Sequence, residues 1–188
     1  ENIIGRSRPF WRHYLPILKR HFPGQLDGIS PEQFYRAVNK SKPGLIRVES
    51  DELTYNLHIF IRFEIEKELI GGSLETKDIP PVWNEKYREY LGITPPDDAR
   101  GCLQDIHWAH GSFGYFPTYT IGNLLSAQLY NKALEDHPSI PDEIEQGNMR
   151  TLLAWLRDRV HRHGSRYTFA ELVKEITGGE VQVRPFMN

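Results

Sequence analysis

The segment Gly101-Cys102-Leu103-Gln104-Asp105-Ile106-His107-Trp108 runs straight into Ala109-His110-Gly111-Ser112-Phe113-Gly114-Tyr115-Phe116-Pro117-Thr118-Tyr119, and this stretch holds most of the reactive side chains in the chain. An imidazole and phenol hydroxyls can donate hydrogen bonds to an oxygen that becomes negative while an amide is hydrolysed. Asp105 or Gln104 could orient His107, and flanking glycines let backbone approach a substrate closely. The structural alternative is that Trp108, Phe113, Tyr115 and Phe116 are core aromatics and the histidines are satisfied inside the fold. A metal pair from His107 and His110 is disfavoured, because i, i+3 spacing brings two ligands together only on a helix and glycines surround these two. His161 and His163 read as cations that suit the C-terminal end of a helix.

Composition narrows the partners. The chain has 188 residues, 39% apolar and 26% charged, which is the profile of a globular protein. A formal charge of −2 lacks the one-sided excess of Lys and Arg that neutralising phosphates requires, so no nucleic-acid partner is expected. The most apolar run, Leu57 to Ile65, is interrupted by His58, Arg62 and Glu64, so no membrane span is expected either. Cys102 is the single cysteine, which rules out an intrachain disulfide and makes the cytoplasm the simplest compartment. The first residue is Glu1 and no signal peptide is read, so the chain is expected to be part of a longer polypeptide.

The elements that must position the loop are helical. Phe10, Trp11, Tyr14, Leu15, Ile17, Leu18 and Phe22 recur at helical spacing up to Pro23-Gly24. Ser30, with Pro31 and Gln33, opens a second helix that runs to about Lys40. Glu49 to Ile70 alternates like a strand over Leu57, Ile59, Ile61, Phe63 and Ile65 but is too long for one. The reading is a long, largely buried helix in which Leu53, Leu57, Phe60 and Ile61 share rows, ending at Gly71-Gly72. Pro80-Pro81 opens a helix to Gly92, Pro117 opens one toward His137-Pro138, and Met149 to His163 forms another. Thr168 and Glu171 form a capping box for the last, up to Thr177. The fold class is therefore mainly α, residues 1–188 forming one helical unit with a small β element near residues 101–116.

Gly101-x-x-Gln104-Asp105-x-His107-Trp108 matches every fixed position of the GxxQDxHW motif, and the chain resembles the carboxypeptidase Taq-like zinc metallocarboxypeptidases. Ile46-Arg47-Val48-Glu49-Ser50-Asp51 is similar to the family's IRxxAD, with Ser50 in place of alanine. Glu1 to Ser7 and Phe10-Trp11 look like the segment after the family's HES/GQ motif, and the residues from Val183 look like the approach to its C-terminal helix.

That resemblance implies the helix-rich, deep-cleft fold of HEXXH oligopeptidases and release of C-terminal amino acids from peptides by a zinc-activated water, with cobalt as an alternative metal. No His-Glu-x-x-His occurs here. The chain would then be the C-terminal portion of the catalytic domain, contain no metal ligands and be inactive by itself. By likeness His107 and Tyr119, twelve residues apart, would stabilise the oxyanion, with Tyr115 the competing phenol and Asp105 setting the imidazole tautomer. Arg47, beside Gln104 as a further substrate contact, would clamp the free C-terminal carboxylate of the substrate, because a guanidinium fork fits two carboxylate oxygens. Its structural alternative is a salt bridge with Glu49 or Asp51. Family likeness also implies a homodimer at full length. The competing function is a non-catalytic helical binding module or a truncated family remnant.

Overall fold

The computed structural model describes residues 2–187, so Glu1 and Asn188, which end the stretches likened to the family, lie outside it. In chain order the helices are α1 (Asn2–Gly5), α2 (Arg8–His21), α3 (Pro23–Leu26), α4 (Pro31–Val38), α5 (Glu52–Gly71) and α6 (Ile79–Leu91). There follow α7 (Pro117–Asp136), α8 (Ile140–Glu145), α9 (Arg150–Arg159), α10 (Phe169–Thr177) and α11 (Arg184–Met187). Contacts group them into two compact units, one from the residues up to Asn39 together with those from Gly122 onward, the other Lys40–Ile121.

No strand occurs among the described residues, and the β element expected near residues 101–116 is replaced by consecutive turns with a 3-10 turn at Trp108–His110. The amides there bond backward to nearby carbonyls. Gly101 N–H donates to Asp98, Leu103 to Asp98, Gln104 to Gly101, Gly111 to Trp108 and Ser112 to His107, so these amides close turns rather than a ladder.

In the first unit the capping boxes at Ser30 with Gln33 and Thr168 with Glu171 form as the sequence predicts. Its core joins Ala133 of α7, Ile140 and Ile144 of α8, Leu152 and Trp155 of α9 and Ile176 of α10. The helix expected over Met149 to His163 stops at Arg159, and His161 and His163 sit in a separate 3-10 turn.

The second unit is organised by α5 against α6, through Ile61 and Ile65 on one side and Trp83, Tyr87 and Leu91 on the other. The row read from sequence only half faces inward, for Leu53 and Phe60 are 74% and 42% exposed while His58, Arg62 and Glu66 are buried. Apolar residues surround α5 on nearly every side, so periodicity alone does not select its inner face. No helix among the described residues is long and apolar enough to cross a membrane.

Helix α5 starts at Asp51, whose carboxylate accepts from the amides of Leu53, Thr54 and Lys42 and from the hydroxyls of Ser41 and Thr54. Partial burial pushes this carboxyl up, yet the donors of Thr54, Lys42 and Ser41 outweigh that and hold it down to about 2. The folded pKa is thus below the unfolded one, so the stabilisation is complete above the unfolded value and disappears as pH falls from about 4 toward 2. Asp51→Ala should lower stability at neutral pH by about 1–2 kcal/mol in urea denaturation. The gap from the parent protein should close through that acidic range, and a gap independent of pH would refute the assignment.

Candidate functional site

Every residue singled out between Arg47 and Tyr119 lies in the second unit. The motif glycine comes first: a Cβ on Gly101 would stand 3.1 Å from the Asp97 carbonyl oxygen and 3.4 Å from Pro95 Cβ, so this glycine admits neighbouring backbone. Gln104 then pins the loop. Its Oε1 accepts from the Arg47 amide at 2.9 Å, and its Nε2 lies 3.0–3.2 Å from the carbonyls of Leu45, Arg100 and Gly101 and from the Tyr87 hydroxyl. The amide expected to touch substrate is therefore fully engaged within the chain.

Asp105 sits between two guanidinium groups. Arg47 donates to its Oδ1 from Nη2 at 2.7 Å and Nε at 3.1 Å, and Arg62 donates to its Oδ2 from Nε at 2.6 Å. The Arg62 side chain is 0% exposed, that of Arg47 6% and that of Asp105 11%, so the charges meet away from water. Burial pushes the Asp105 carboxyl up, but both cations hold it below the usual carboxylate range. Arg62 also donates to the His58 carbonyl at 2.8 Å, and Arg47 Nη1 to the Tyr55 hydroxyl at 2.7 Å. The structural partner weighed for Arg47 is thus Asp105 rather than Glu49 or Asp51.

His107 is separated from Asp105 by 3.9 Å, measured from Nδ1 to Oδ1, which is beyond a hydrogen bond. Asp105 therefore does not fix the imidazole tautomer as the sequence suggests. The ring instead meets Tyr119, with Nε2 3.1 Å from the phenol oxygen, and packs against Phe116 at 4.4 Å between centroids. Tyr115 stands 5.7 Å from the His107 ring and 5.4 Å from that of Tyr119, half-exposed. Burial lowers the His107 pKa, and Arg47, His110 and Arg62 add to this against the pull of Asp105. Burial raises the Tyr119 pKa. Both groups are consequently neutral near pH 7, the state in which each can donate a hydrogen bond.

Residues 1–188 match the profile of the family described as Carboxypeptidase Taq (M32) metallopeptidase. The chain belongs to that family. It is 48% identical over 184 residues to Carboxypeptidase 1 of Bacillus subtilis, covering 98% of this chain and 37% of that protein. Thermostable carboxypeptidase 1 of Thermus thermophilus is 46% identical over 187 residues, covering 100% of this chain and 36% of the relative. The crystal structure of the M32 carboxypeptidase from Deinococcus radiodurans R1 superposes with a TM-score of 0.94 at 43% identity, covering 100% of this chain and 38% of that one. The chain thus spans little more than a third of the length of these relatives.

A hydrolytic zinc takes three protein ligands and keeps a position for water. Among the described residues no group of three His, Cys, Asp or Glu could hold an ion, and His107 Nε2 already faces Tyr119.

Several residues of the site escaped sequence reasoning: Tyr55, His58, Arg62 and Glu66 on α5 and Tyr87 on α6. A signal for three of them existed, because His58, Arg62 and Glu66 repeat every four residues and so share one face of α5. His58 is fully buried, with Nδ1 3.0 Å from the Tyr87 hydroxyl. Burial, reinforced by Arg62 and Arg47, pushes its pKa down to about 4. The imidazole is then neutral in the folded protein, while the unfolded chain takes up a proton below about 6.5. Stability from this group is complete above that value and drains away as pH falls toward the folded pKa, about 3 kcal/mol in all. His58→Asn should flatten the slope of stability against pH between 6.5 and 4 in denaturant titrations, and an unaltered slope would show that other groups set it.

Proposed function

We propose that this chain is the part of a metallocarboxypeptidase that receives the peptide, with His107 and Tyr119 donating to the carbonyl oxygen of the scissile bond and Arg47 receiving the substrate's free C-terminal carboxylate. The observation that carries this reading is the 3.1 Å approach of His107 Nε2 to the Tyr119 hydroxyl, which brings a neutral imidazole and a phenol to one point. Zinc, or cobalt in its place, held by residues outside these 188, would supply the activated water. Gln104 and Asp105 act as supports for Arg47 rather than as substrate contacts, and Tyr115, half-exposed beside the pair, is the second phenol able to reach the carbonyl.

Charge favours an anion here. Two guanidinium groups meet at Asp105, and that of Arg47 lies 4.9 Å from the centre of the Tyr119 ring, which sets a fixed cation next to the His107–Tyr119 pair. Arg47 has spent three of its N–H donors, one on Tyr55 and two on Asp105, and a guanidinium carries five. Two donors remain for a carboxylate, and the planar fork that Asp105 holds in place is the group suited to a bidentate contact.

In the full-length, metal-loaded protein, Tyr119→Phe and His107→Ala should each reduce kcat by about 10²–10³-fold with little change in KM. Normal turnover in either variant removes that residue from the role. Arg47→Lys keeps the positive charge but loses the fork, so the preference for a free-acid peptide over its amidated counterpart should shrink by about 10- to 100-fold in kcat/KM. Equal losses on the two peptides would exclude Arg47 as the carboxylate receptor.

A further inference from the structure

We infer that Glu66 is a positioning residue for the His107–Tyr119 pair, one buried carboxylate on α5 clasping both ends of the loop that carries the histidine. This inference rests on the reading of His107 and Tyr119 given above.

The side chain of Glu66 is turned inward, leaving the residue 3% exposed. Its Oε1 accepts from the Trp108 indole N–H at 2.8 Å, and its Oε2 accepts from the Gly114 amide at 3.2 Å. Trp108 directly follows His107, and Gly114 directly precedes Tyr115. Between these anchors the chain reverses, with the Ser112 amide donating to the His107 carbonyl at 2.9 Å and the Gly111 amide to that of Trp108 at 3.1 Å. The reversal ends at Gly114 with φ of 75°, where a side chain would strain the backbone. Phe113 and Trp108 stack within the reversal, their planes 6° apart.

Among the described residues no Lys, Arg or His lies within ion-pair distance of Glu66, so two neutral N–H groups alone compensate the buried carboxylate. A simple counter-ion for Arg62 would instead point its oxygens at that guanidinium. Here both oxygens face the loop, and each holds a different end. Glutamine has nearly the same shape but one acceptor and one NH2, so it can keep the indole bond while setting an NH2 against the Gly114 N–H. The expected result is a loop free to shift by a fraction of an ångström, which suffices to part an imidazole from its phenol partner.

The experiment compares Glu66→Gln, Trp108→Phe and His107→Ala in the full-length, metal-loaded protein, with kcat and KM on a free-acid peptide, melting temperature and the 15N resonances of the His107 ring as readouts. Positioning predicts that Glu66→Gln lowers kcat by about 10- to 100-fold with KM within about twofold. Its melting temperature stays close to that of the parent, and the His107 Nε2 resonance shifts as the Tyr119 bond is lost. In a His107→Ala background the same substitution should change kcat by less than about twofold, since Glu66 acts through the histidine. An unchanged kcat, or an undiminished loss in that background, overturns the inference. Should Glu66→Gln fail to fold, Trp108→Phe removes one of the two donors and leaves the carboxylate in place, and normal kcat there overturns it equally. Normal turnover in His107→Ala itself would refute the functional reading instead. The His107 resonances would then decide the matter for Glu66 alone, and their staying unchanged in Glu66→Gln would sink it.

Discussion

Asp105 ties together three pieces of chain that share no secondary structure: the 3-10 turn at Arg47–Glu49, the middle of α5 at Arg62, and the loop that precedes His107. Burying ions is expensive, and a buried pair repays its desolvation only when the remaining donors and acceptors are also satisfied. Here the carboxylate receives three N–H bonds of 2.6–3.1 Å, and further N–H groups of the two cations go to the Tyr55 hydroxyl and the His58 carbonyl, while the buried Nη2 of Arg62 has no hydrogen-bond partner. The arrangement is worth more as a register than as a source of stability. Removing the carboxylate would leave two guanidinium groups facing each other out of water, a cost of about 3–5 kcal/mol.

The loop needs such a register because it has no ladder to shape it. Residues 101–116 bond mostly to carbonyls three to five positions back, which makes turns but does not dock them to anything. Docking falls to long polar side chains: Gln104 reaches the Leu45 carbonyl and the Arg47 amide, Asp105 the two arginines, and Glu66 the indole and amide of the reversal. Each of these replaces contacts that a sheet edge would have provided. The cost is paid in buried polar groups, and the return is a loop seated on the rigid side of α5.

Helix starts were legible because caps are local: Ser30 with Gln33, Thr168 with Glu171 and the prolines in the first turns of α6 and α7 specify boundaries within four residues. The motif around Gly101 was legible as a pattern, and His107 and Tyr119, paired in the sequence reading by likeness, lie 3.1 Å apart in the structure. What it could not show was which side chain each motif residue faces. Asp105 is two residues from His107 in the chain, yet its oxygens turn to Arg47 and Arg62, 58 and 43 positions away. Sequence proximity favours the nearer partner, whereas charge burial favours the pair of cations. The buried row of α5 was obscured for a related reason. His58 and Arg62 read as interruptions of an apolar run and Glu66 was not singled out, because composition suggests that charged residues face water. An interior network in which Arg62 meets Asp105 and Glu66 meets Trp108 and Gly114 reverses that expectation.

The 3.9 Å between His107 and Asp105 has its own chemical meaning. A carboxylate hydrogen-bonded to Nδ1 would raise the basicity of the imidazole and favour its cation, as it does where a histidine must accept a proton. Two arginines close by make a third cation unfavourable, and committing Asp105 to them withholds that proton-attracting partner from the ring. The histidine is left neutral, with Nε2 directed at a phenol that burial keeps protonated. Under the function proposed above, such a pair would offer hydrogen bonds without exchanging charge, and the guanidinium groups of Arg47 and Arg62 would stand beside it as fixed cations. Where Asp105 points would then set the division of labour, with fixed cations for the potential and neutral groups for the direction.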